Sequence, residues 1–257
     1  MKFITSRDNP QLKAWRRLAQ DTTAYRKAGQ FWLEGDHLCR AATDRGILPL
    51  QIVLSASYFE AQGTQWTGLT QALFVLPDAL FSSLSGLESP AQMGFVMACV
   101  APRPVAPGVS TVVLDRLQDA GNVGAILRCA SAFGYRQVLT IKGTAALWSS
   151  KVLRAGMGAH FGLQLIESVS EAAVANLKVP VLTTSSHSGP FLHELLQGQA
   201  LMPLSAWVFG HEGQGVSANL MALAQHTVRI AQPGGEESLN VATAAAICLH
   251  ATATAAL

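Results

Sequence analysis

Short apolar runs rich in Val, Ile and Leu alternate along the chain with stretches whose apolar residues recur every third or fourth place. Runs bounded by polar turns mark buried strands, and the wider spacing marks amphipathic helices. The pattern predicts a helix over about 9–20, a strand over 31–34, a helix over 36–45 and a strand over 51–55. It continues with a helix over 57–62, a strand over 72–76, a short helix over 77–84 and a strand over 93–100. Asp8 or Asn9, followed by Pro10, supplies the cap and first position of the first helix. The stretch APRPVAPGVS (101–110) blocks helix and central strand alike with its prolines. It reads as a linker and divides the chain into domains at 1–103 and 104–257.

Beyond the linker the pattern restarts. Apolar runs at 110–115, 137–141, 163–167, 179–184, 205–209 and 227–231 predict strands. Helices fill the gaps near 122–133, 150–159, 170–177, 190–196, 217–224 and 239–254. Such alternation predicts an α/β domain with a parallel sheet covered on both faces. The last helix is unusual, because an amphipathic helix normally carries a large apolar residue at every third or fourth place. Here Val241, Ile247, Leu249 and Leu257 are separated mostly by Ala and Thr.

At 257 residues, 49% hydrophobic and 13% charged, the chain can bury a sizeable core and is not disordered. Its net charge of +2 argues for no particular partner, but the distribution does. Residues 1–33 hold Lys2, Arg7, Lys13, Arg16, Arg17, Arg26 and Lys27 against Asp8 and Asp21, a balance of +5 that leaves −3 for the rest. A basic arm on a near-neutral body fits either a polyanion partner or a solvated helix face. The cysteines at 39, 99, 129 and 248 lack metal-ligand spacing, so no metal is expected. Cys99, Cys129 and Cys248 stand in apolar segments and read as buried thiols of a reducing compartment. The start, MKFITSRDNP, has no apolar signal core, and the Ala-rich end is too weakly apolar to span a bilayer. A cytoplasmic protein with no membrane partner is expected.

Three strand ends carry candidate chemistry. LDRLQDAGNVGAILRCASAFG (114–134) leaves a strand through Asp115, Asp119, Gly121, Asn122 and Gly124, then enters a helix bearing Arg128. In open α/β sheets ligands collect beyond the carboxyl ends of strands, and glycine lets them approach the backbone. A helix of such a sheet buries most of its surface, so Arg128 needs an anion or a dipole to meet. WVFGHEGQGVS (207–217) follows its strand with a glycine-rich loop whose only carboxylate is Glu212; His211 reads as an exposed loop histidine. In the third stretch Ile230 ends a strand and Pro233-Gly234-Gly235 turns the chain. Ser238 is placed to cap the last helix, and Asn240 lies in its first turn, where free N–H groups suit a polar or anionic ligand. Neither GxGxxG nor the Walker pattern occurs, which ranks a nucleotide-dependent oxidoreductase low.

In order and spacing these stretches resemble the three motifs of the SpoU (TrmH-like) branch of the SPOUT RNA methyltransferases. The first is Asn122-x-Gly124-x-x-x-Arg128, and the second Phe209-Gly210-x-Glu212-Gly213-x-Gly215. The third runs from Ile230 to Asn240 and ends in Ser238-Leu239-Asn240-Val241. The resemblance covers 110–257, and SSKVLRAGMGAHF (149–161) is similar to the family's basic segment. ITSRDNPQLKAWRRL through FWLEGDHLCRAA is similar to the small RNA-binding domain, itself like certain ribosomal proteins, that often precedes the catalytic one. The resemblance implies a trefoil-knotted, parallel-sheet SPOUT methyltransferase domain preceded by a small α/β ribosomal-protein-like RNA-binding domain. It implies S-adenosylmethionine as cofactor, a ribose 2′-hydroxyl of rRNA or tRNA as target, and a homodimer through the C-terminal domain. A slim last helix then suits close approach both to the loops that wrap it and to a second copy. Two departures stand out: Ala231 where many relatives have Pro, with proline at 233, and Glu236-Glu237 beside the cofactor loop. The alternative is a catalytically silent RNA-binding protein of the same fold, acting in ribosome assembly.

By position, the resemblance assigns Gly210, Ile230 and Leu239 to the cofactor and puts Arg128 beside the 2′-hydroxyl. The family is often described with this Arg as base. A guanidinium with a pKa above about 12 rarely gives up its proton, and the other reading is a charged Arg128 that stabilises the developing alkoxide and grips a phosphate. Glu212 then orients Arg128 or the ribose, while Asn122, Ser238 and Asn240 fix loops and substrate. A sulfonium is already an activated methyl donor, so no metal is required. RNA phosphates are expected on Lys13, Arg16, Arg17, Arg26 and Lys27, with Lys151 and Arg154 either joining them or forming a solvated helix face. Trp15, Phe31 and Trp32 are candidates for stacking on bases, with core packing the favoured reading for Phe31 and Trp32, which begin a strand.

Overall fold

The computed structural model describes residues 1–86, 91–101, 103–235 and 238–255, so Glu236, Glu237 and Leu257 lie outside the described residues. The strands are β1 (Lys2–Phe3), β2 (Gln30–Glu34), β3 (Gln51–Ser55), β4 (Leu73–Leu76), β5 (Met93–Ala98), β6 (Thr111–Asp115), β7 (Gln137–Ile141), β8 (Gln164–Val169), β9 (Val181–Thr184), β10 (Ala206–Gly210) and β11 (His226–Val228). The helices are α1 (Pro10–Gln20), α2 (Ala24–Ala28), α3 (Asp36–Thr43), α4 (Ala56–Gln62), α5 (Asp78–Ser82), α6 (Ala120–Ala132), α7 (Ser150–Gly156), α8 (Glu171–Ala175), α9 (Leu192–Gln197), α10 (Ala218–Ala222) and α11 (Val241–Thr254). β1 and α2 escaped the periodicity because neither is long enough to show one. Internal contacts divide the chain into two compact units: Met1–Ala101 with Trp148–Phe161, and Pro102–Leu147 with Gly162–Leu257. The segment 148–161, far inside the second stretch of sequence, groups with the first unit.

In the first unit the sheet order is β1-β4-β3-β5-β2. β1, β4 and β3 run parallel, and β5 is antiparallel to both β3 and β2. Asn9, rather than Asp8, caps α1, its side chain accepting from the Gln11 N–H with Pro10 in the first turn. Leu12, Trp15 and Ala19 repeat at helical spacing and are buried in one cluster with Trp32, Phe74 and Phe81. Trp15 is 1% exposed. Its ring meets Phe74 edge-on at 5.0 Å, and its Nε1 donates to Gln51 Oε1 at 2.7 Å. It is therefore a core residue and is not free to stack on bases, as Phe31 and Trp32 also are not. Gly94 on β5 lies against the Trp32 indole, which any Cβ there would strike. α7 joins this unit against α1 and β2, with Ser150 Oγ donating to the Ala19 carbonyl at 2.7 Å and Trp148 tilted over Phe31 at 4.7 Å.

In the second unit six strands lie in the order β11-β9-β10-β6-β7-β8, all parallel. The chain grows outward from β6 through β7 and β8, then returns to the other side for β9, β10 and β11. The sequence order thus reverses between β6 and β10, and register pairs Asp115 with Gly210, the last residue of each strand. Ligand sites in parallel sheets form at such a switch. One face is sealed by Val113, Leu139 and Val208 with Val174, Leu177 and Leu220. On the other, α11 lies against α6 and β10.

The buried positions of α11 are Ala245, Cys248, Leu249, Ala251 and Thr252, a helical stripe of mostly small residues. Trp207 on β10 occupies the space they leave, its Nε1 donating to Thr252 Oγ1 at 2.9 Å. The bulk that the helix lacks is supplied by the strand beneath it. Burial pushes the Cys248 thiol up to about 12 and, chiefly for the same reason, the Tyr135 hydroxyl up to about 12. The expectation of buried thiols needs correction: Cys39 and Cys248 are buried, but Cys99 and Cys129 are half-buried. Cys129 sits at the margin of the buried face of α6, which apolar neighbours in sequence do not reveal. Among the described residues no helix is long and apolar enough to cross a membrane.

Candidate active site

Three side chains from three distant loops form one hydrogen-bonded chain. Asp119 caps α6, its carboxylate accepting from the Asn122 N–H at 2.7 Å, which fixes Asn122 in the first turn. Asn122 Nδ2 donates to Glu212 Oε1 at 3.2 Å, and Asn122 Oδ1 accepts from Asn240 Nδ2 at 2.9 Å. The amide therefore uses its donor end on a carboxylate and its acceptor end on another amide, an orientation that the network alone dictates. Glu212 also accepts from the N–H groups of Gln118 and Asp119, each at 3.4 Å. Partial burial alone would raise its carboxyl; its own N–H, the Asn122 amide and the Gln118 and Asp119 N–H groups outweigh that and hold it below the usual range. Glu212 thus orients Asn122 and the loop before α6, and no bond joins it to Arg128.

Asn240 rather than Ser238 caps α11, accepting from the N–H groups of Ala242 and Thr243 at 2.9 and 3.2 Å. The helix starts at Val241, so Ser238 stands too far back to reach its first turn, and the donors expected to be free are taken. Ile230 lies just past β11, which ends at Val228.

The loop after β10 is a small hairpin in which His211 and Gly215 exchange backbone hydrogen bonds. His211 is half-buried, not exposed: its Nδ1 accepts from the Gly213 and Gln214 N–H groups at 3.0 and 3.2 Å and closes the hairpin from inside. Gly210 is required here, since a Cβ would strike the backbone of Gly215 and Val216. Asp115, fully buried, accepts from the Ser217 N–H at 2.7 Å and pairs with Arg116 Nε at 2.9 Å. That hydrogen bond holds the Arg116 guanidinium above its ordinary value.

The loops enclose a cavity of about 580 Å³. Gly210, Glu212, Ile230, Ser238, Leu239 and Asn240 all line it, so residues from the second and third stretches share one wall system. A further wall, Thr184 to His187 after β9, was missed by sequence reasoning. Its signal was present: VLTTSSHSG is also an apolar strand running into small polar residues and glycine.

Residues 110–250 match the SpoU rRNA Methylase family. Over 254 residues the chain is 30% identical to the 23S rRNA (guanosine(2553)-2′-O)-methyltransferase RlmP of Bacillus subtilis, covering 97% of this chain and 98% of that protein. The chain belongs to the SpoU family. A solved RNA 2′-O ribose methyltransferase aligns over 98% of both chains at 29% identity, with a TM-score of 0.77. The SpoU methyltransferase AviRb of Streptomyces viridochromogenes, solved with AdoMet, aligns over 95% of this chain and 97% of its own, with a TM-score of 0.83. At 22% identity that second likeness is one of fold, an α/β domain on a parallel sheet.

Arg128, the family's arginine by position, is exposed on α6, which buries Val123, Gly124, Ile126, Leu127 and Ala130 instead. The expectation that α6 would bury this position needs correction: Arg128 faces outward, has no hydrogen bond or ion pair among the described residues, and does not line the cavity. The basic residues assigned to RNA all fall in the first unit, Lys151 and Arg154 included, because α7 packs there. Lys13 pairs with Asp8 at 3.2 Å, Arg17 lies 4.0 Å from Asp21, and Arg16 donates to the Ser83 carbonyl and hydroxyl at 3.2 and 2.9 Å. Arg26 donates to the Tyr25 hydroxyl at 3.2 Å, Lys27 and Lys151 are exposed, and Arg154 is half-buried.

Proposed function

We propose that this SpoU chain is an S-adenosylmethionine-dependent RNA methyltransferase acting on a ribose 2′-hydroxyl of rRNA or tRNA. The observation that carries the reading is the cavity. It is bounded by residues of two SpoU motifs and tied to the third through Asn122, and its described lining holds one carboxylate and no Lys or Arg. A phosphate-bearing ligand calls for cationic donors, whereas an adenosine carrying a sulfonium suits a carboxylate among apolar and backbone groups. The residues present fit that cofactor. Gly210, Ile230 and Leu239 would hold it through backbone groups and apolar cover, with Ser238 and Asn240 closing the loop around it. Bound there, the cofactor supplies a methyl group already activated on sulfur.

The chain's own task is the ribose. A 2′-hydroxyl is a weak nucleophile while protonated. Arg128, a guanidinium uncommitted among the described residues, is the group we assign to the adjacent phosphate and to the oxygen as it loses its proton. Glu212 and Asn122 hold the two loops between which the sugar enters. RNA phosphates fall to the basic residues of the first unit, Lys27 and Lys151 foremost because they are exposed and no side chain among the described residues pairs with them.

The remaining parts of the reading rest on lesser observations. A second copy would cover the apolar groove of about 620 Å³ between Phe133, Leu192, Leu196, Ile230, Ala246 and Ile247. We also assign the chain a threaded carboxyl end. Segments 189–191 and 227–229 lie together, with Gly189 against Thr227 and Arg229 donating to the Gly189 carbonyl at 2.7 Å and stacking on Phe191 at 4.0 Å. The compartment we assign is the cytoplasm.

Calorimetry with S-adenosylmethionine, and mapping of 2′-O-methyl positions in total RNA with and without the gene, test the proposal together. Binding and one lost methyl position are expected. A chain that binds RNA but not the cofactor would overturn the reading in favour of the catalytically silent one.

A further inference from the structure

The cavity wall at 211–217 is held from behind by a residue that does not touch the cavity. Arg116 follows β6 and has a φ of +61°, in the left-handed region that a non-glycine residue enters at a cost. The strained backbone aims a guanidinium that makes four contacts. Nε and Nη2 grip the two oxygens of buried Asp115 at 2.9 and 3.3 Å; Nη1 donates to Gln214 Oε1 at 3.0 Å, and Nη2 reaches the Gly215 carbonyl at 3.5 Å. Asp115 in turn takes the Ser217 N–H. The bonds to Gln214 and Ser217 span 98 and 102 residues of sequence. Arg116 is itself anchored, its N–H donating to Thr144 Oγ1 at 3.0 Å.

We infer that Arg116 is a positioning residue that clamps the 211–217 hairpin to the end of β6, so that Glu212 stands on Asn122 before any ligand arrives. Apart from Val216, which packs on the core, the hairpin consists of small and polar residues with little apolar surface to hold it in place. Its outer edge is fastened by Arg116 and Asp115, and its inner edge by the Glu212 bonds to Gln118, Asp119 and Asn122. Release of the outer edge should therefore loosen the inner one. The inference deepens the proposed function, because a preformed wall removes an ordering cost from cofactor binding.

The test uses the full chain with Arg116→Gly, Arg116→Ala, Arg116→Lys and Gln214→Leu. Hydrogen exchange is measured without ligand at the Gly215, Ser217, Gln118 and Asp119 amides, and S-adenosylmethionine affinity by calorimetry. Both R116G and R116A are expected to speed exchange at these amides about tenfold or more and to weaken the cofactor by a similar factor. R116K should recover part of each, because one ammonium cannot span Asp115 and the hairpin together. Q214L leaves the backbone and the Asp115 pair untouched and should show a smaller change of the same sign. If only the backbone conformation at 116 mattered, R116G would behave as wild type, since glycine adopts that φ freely, and the inference would be overturned. Unchanged exchange in both R116G and R116A would overturn it equally. Failure of the wild type to bind the cofactor would sink the functional reading alone, and the exchange data would still decide the clamp.

Discussion

The two sheets are built from strands of similar length but end differently. In the first unit Gly35 alone separates β2 from α3, Pro77 alone separates β4 from α5, and Ser55, the last residue of β3, is itself the cap of α4. Polar side chains at these ends reach less far along the chain: Ser55 takes the Tyr58 N–H, Asp36 binds Arg40 one turn on and Tyr58 22 residues on, and Asp78 takes the Ser57 N–H 21 residues back. In the second unit β8 reaches α8 through Ser170 alone, whereas β6, β9, β10 and β11 run into 116–119, 185–191, 211–217 and 229–240 before the next helix. There the polar side chains bond across the chain, Asn122 to Glu212 over 90 residues and Asn240 to Asn122 over 118. The same strand–helix grammar gives a packing module in one sheet and, where side chains of loops far apart in sequence are joined at neighbouring strand ends, a chemical site in the other. The basic residues assigned to RNA all lie in the first unit.

The comparison can be broken from either side, and the largest expected effect lies in the first unit. Trp15→Ala should cost about 3–5 kcal/mol of stability, read by denaturant unfolding, because a buried indole and its bond to Gln51 are both lost. A stable variant with weakened RNA binding would instead make Trp15 a base-reading residue. In the second unit Arg128→Ala should lower methyl transfer about 10²–10³-fold, roughly 3–4 kcal/mol, with cofactor affinity unchanged. Full activity of a purified R128A protein would remove Arg128 from the chemistry.

Smaller effects sharpen the division. Lys151→Ala with Arg154→Ala should weaken RNA binding about tenfold and flatten its salt dependence, while turnover at saturating RNA stays constant. An unchanged salt slope would leave α7 a solvated face. Asn240→Ala should cost about 1 kcal/mol through the lost cap of α11 and should also free Asn122, so the thermal midpoint and activity fall together. The least effect is set by pH. Cys248 and Tyr135 rise from ordinary values of 9.0 and 10.0 to about 12 in the fold. The unfolded chain therefore ionises them first, and the stability they contribute is whole below about pH 9 and lost as pH rises toward 12. At pH 9.5 the loss should stay below about 1 kcal/mol, and Cys248→Ala should reduce it; a stability that rises with pH there would contradict the burial of both groups.

Much of this was legible in the chain. The strands of the second unit are continuous apolar runs, and their glycine-bearing ends announced where side chains would gather. Less legible was which polar residue does what. Ser238 and Asn240 are equally good caps by type; what selects Asn240 is the start of α11 at Val241, and its bond to Asn122 across most of the second unit had no signal in the sequence. The α1 stripe of Leu12, Trp15 and Ala19 already placed Trp15 on the apolar face, opposite Lys13 and Arg17, so that error was avoidable. The loop after β9 carried a similar signal of small polar residues and one glycine but no carboxylate to draw the eye. Arg116 carried no signal at all, because its backbone angle and its reach to Gln214 exist only once the strands are paired.

The placement of residues 148–161 bears on how the gene can be divided. A protease or a truncation that severs the proline-rich stretch near 101–110 would release neither half whole. The leading fragment would lose the helix that rests on β2 and carries two of its cations, and the trailing fragment would keep that helix with its apolar side, Val152 and Leu153, bare to water. Excision of either half as a well-behaved fragment therefore calls for transplanting this segment, not for choosing a better cut.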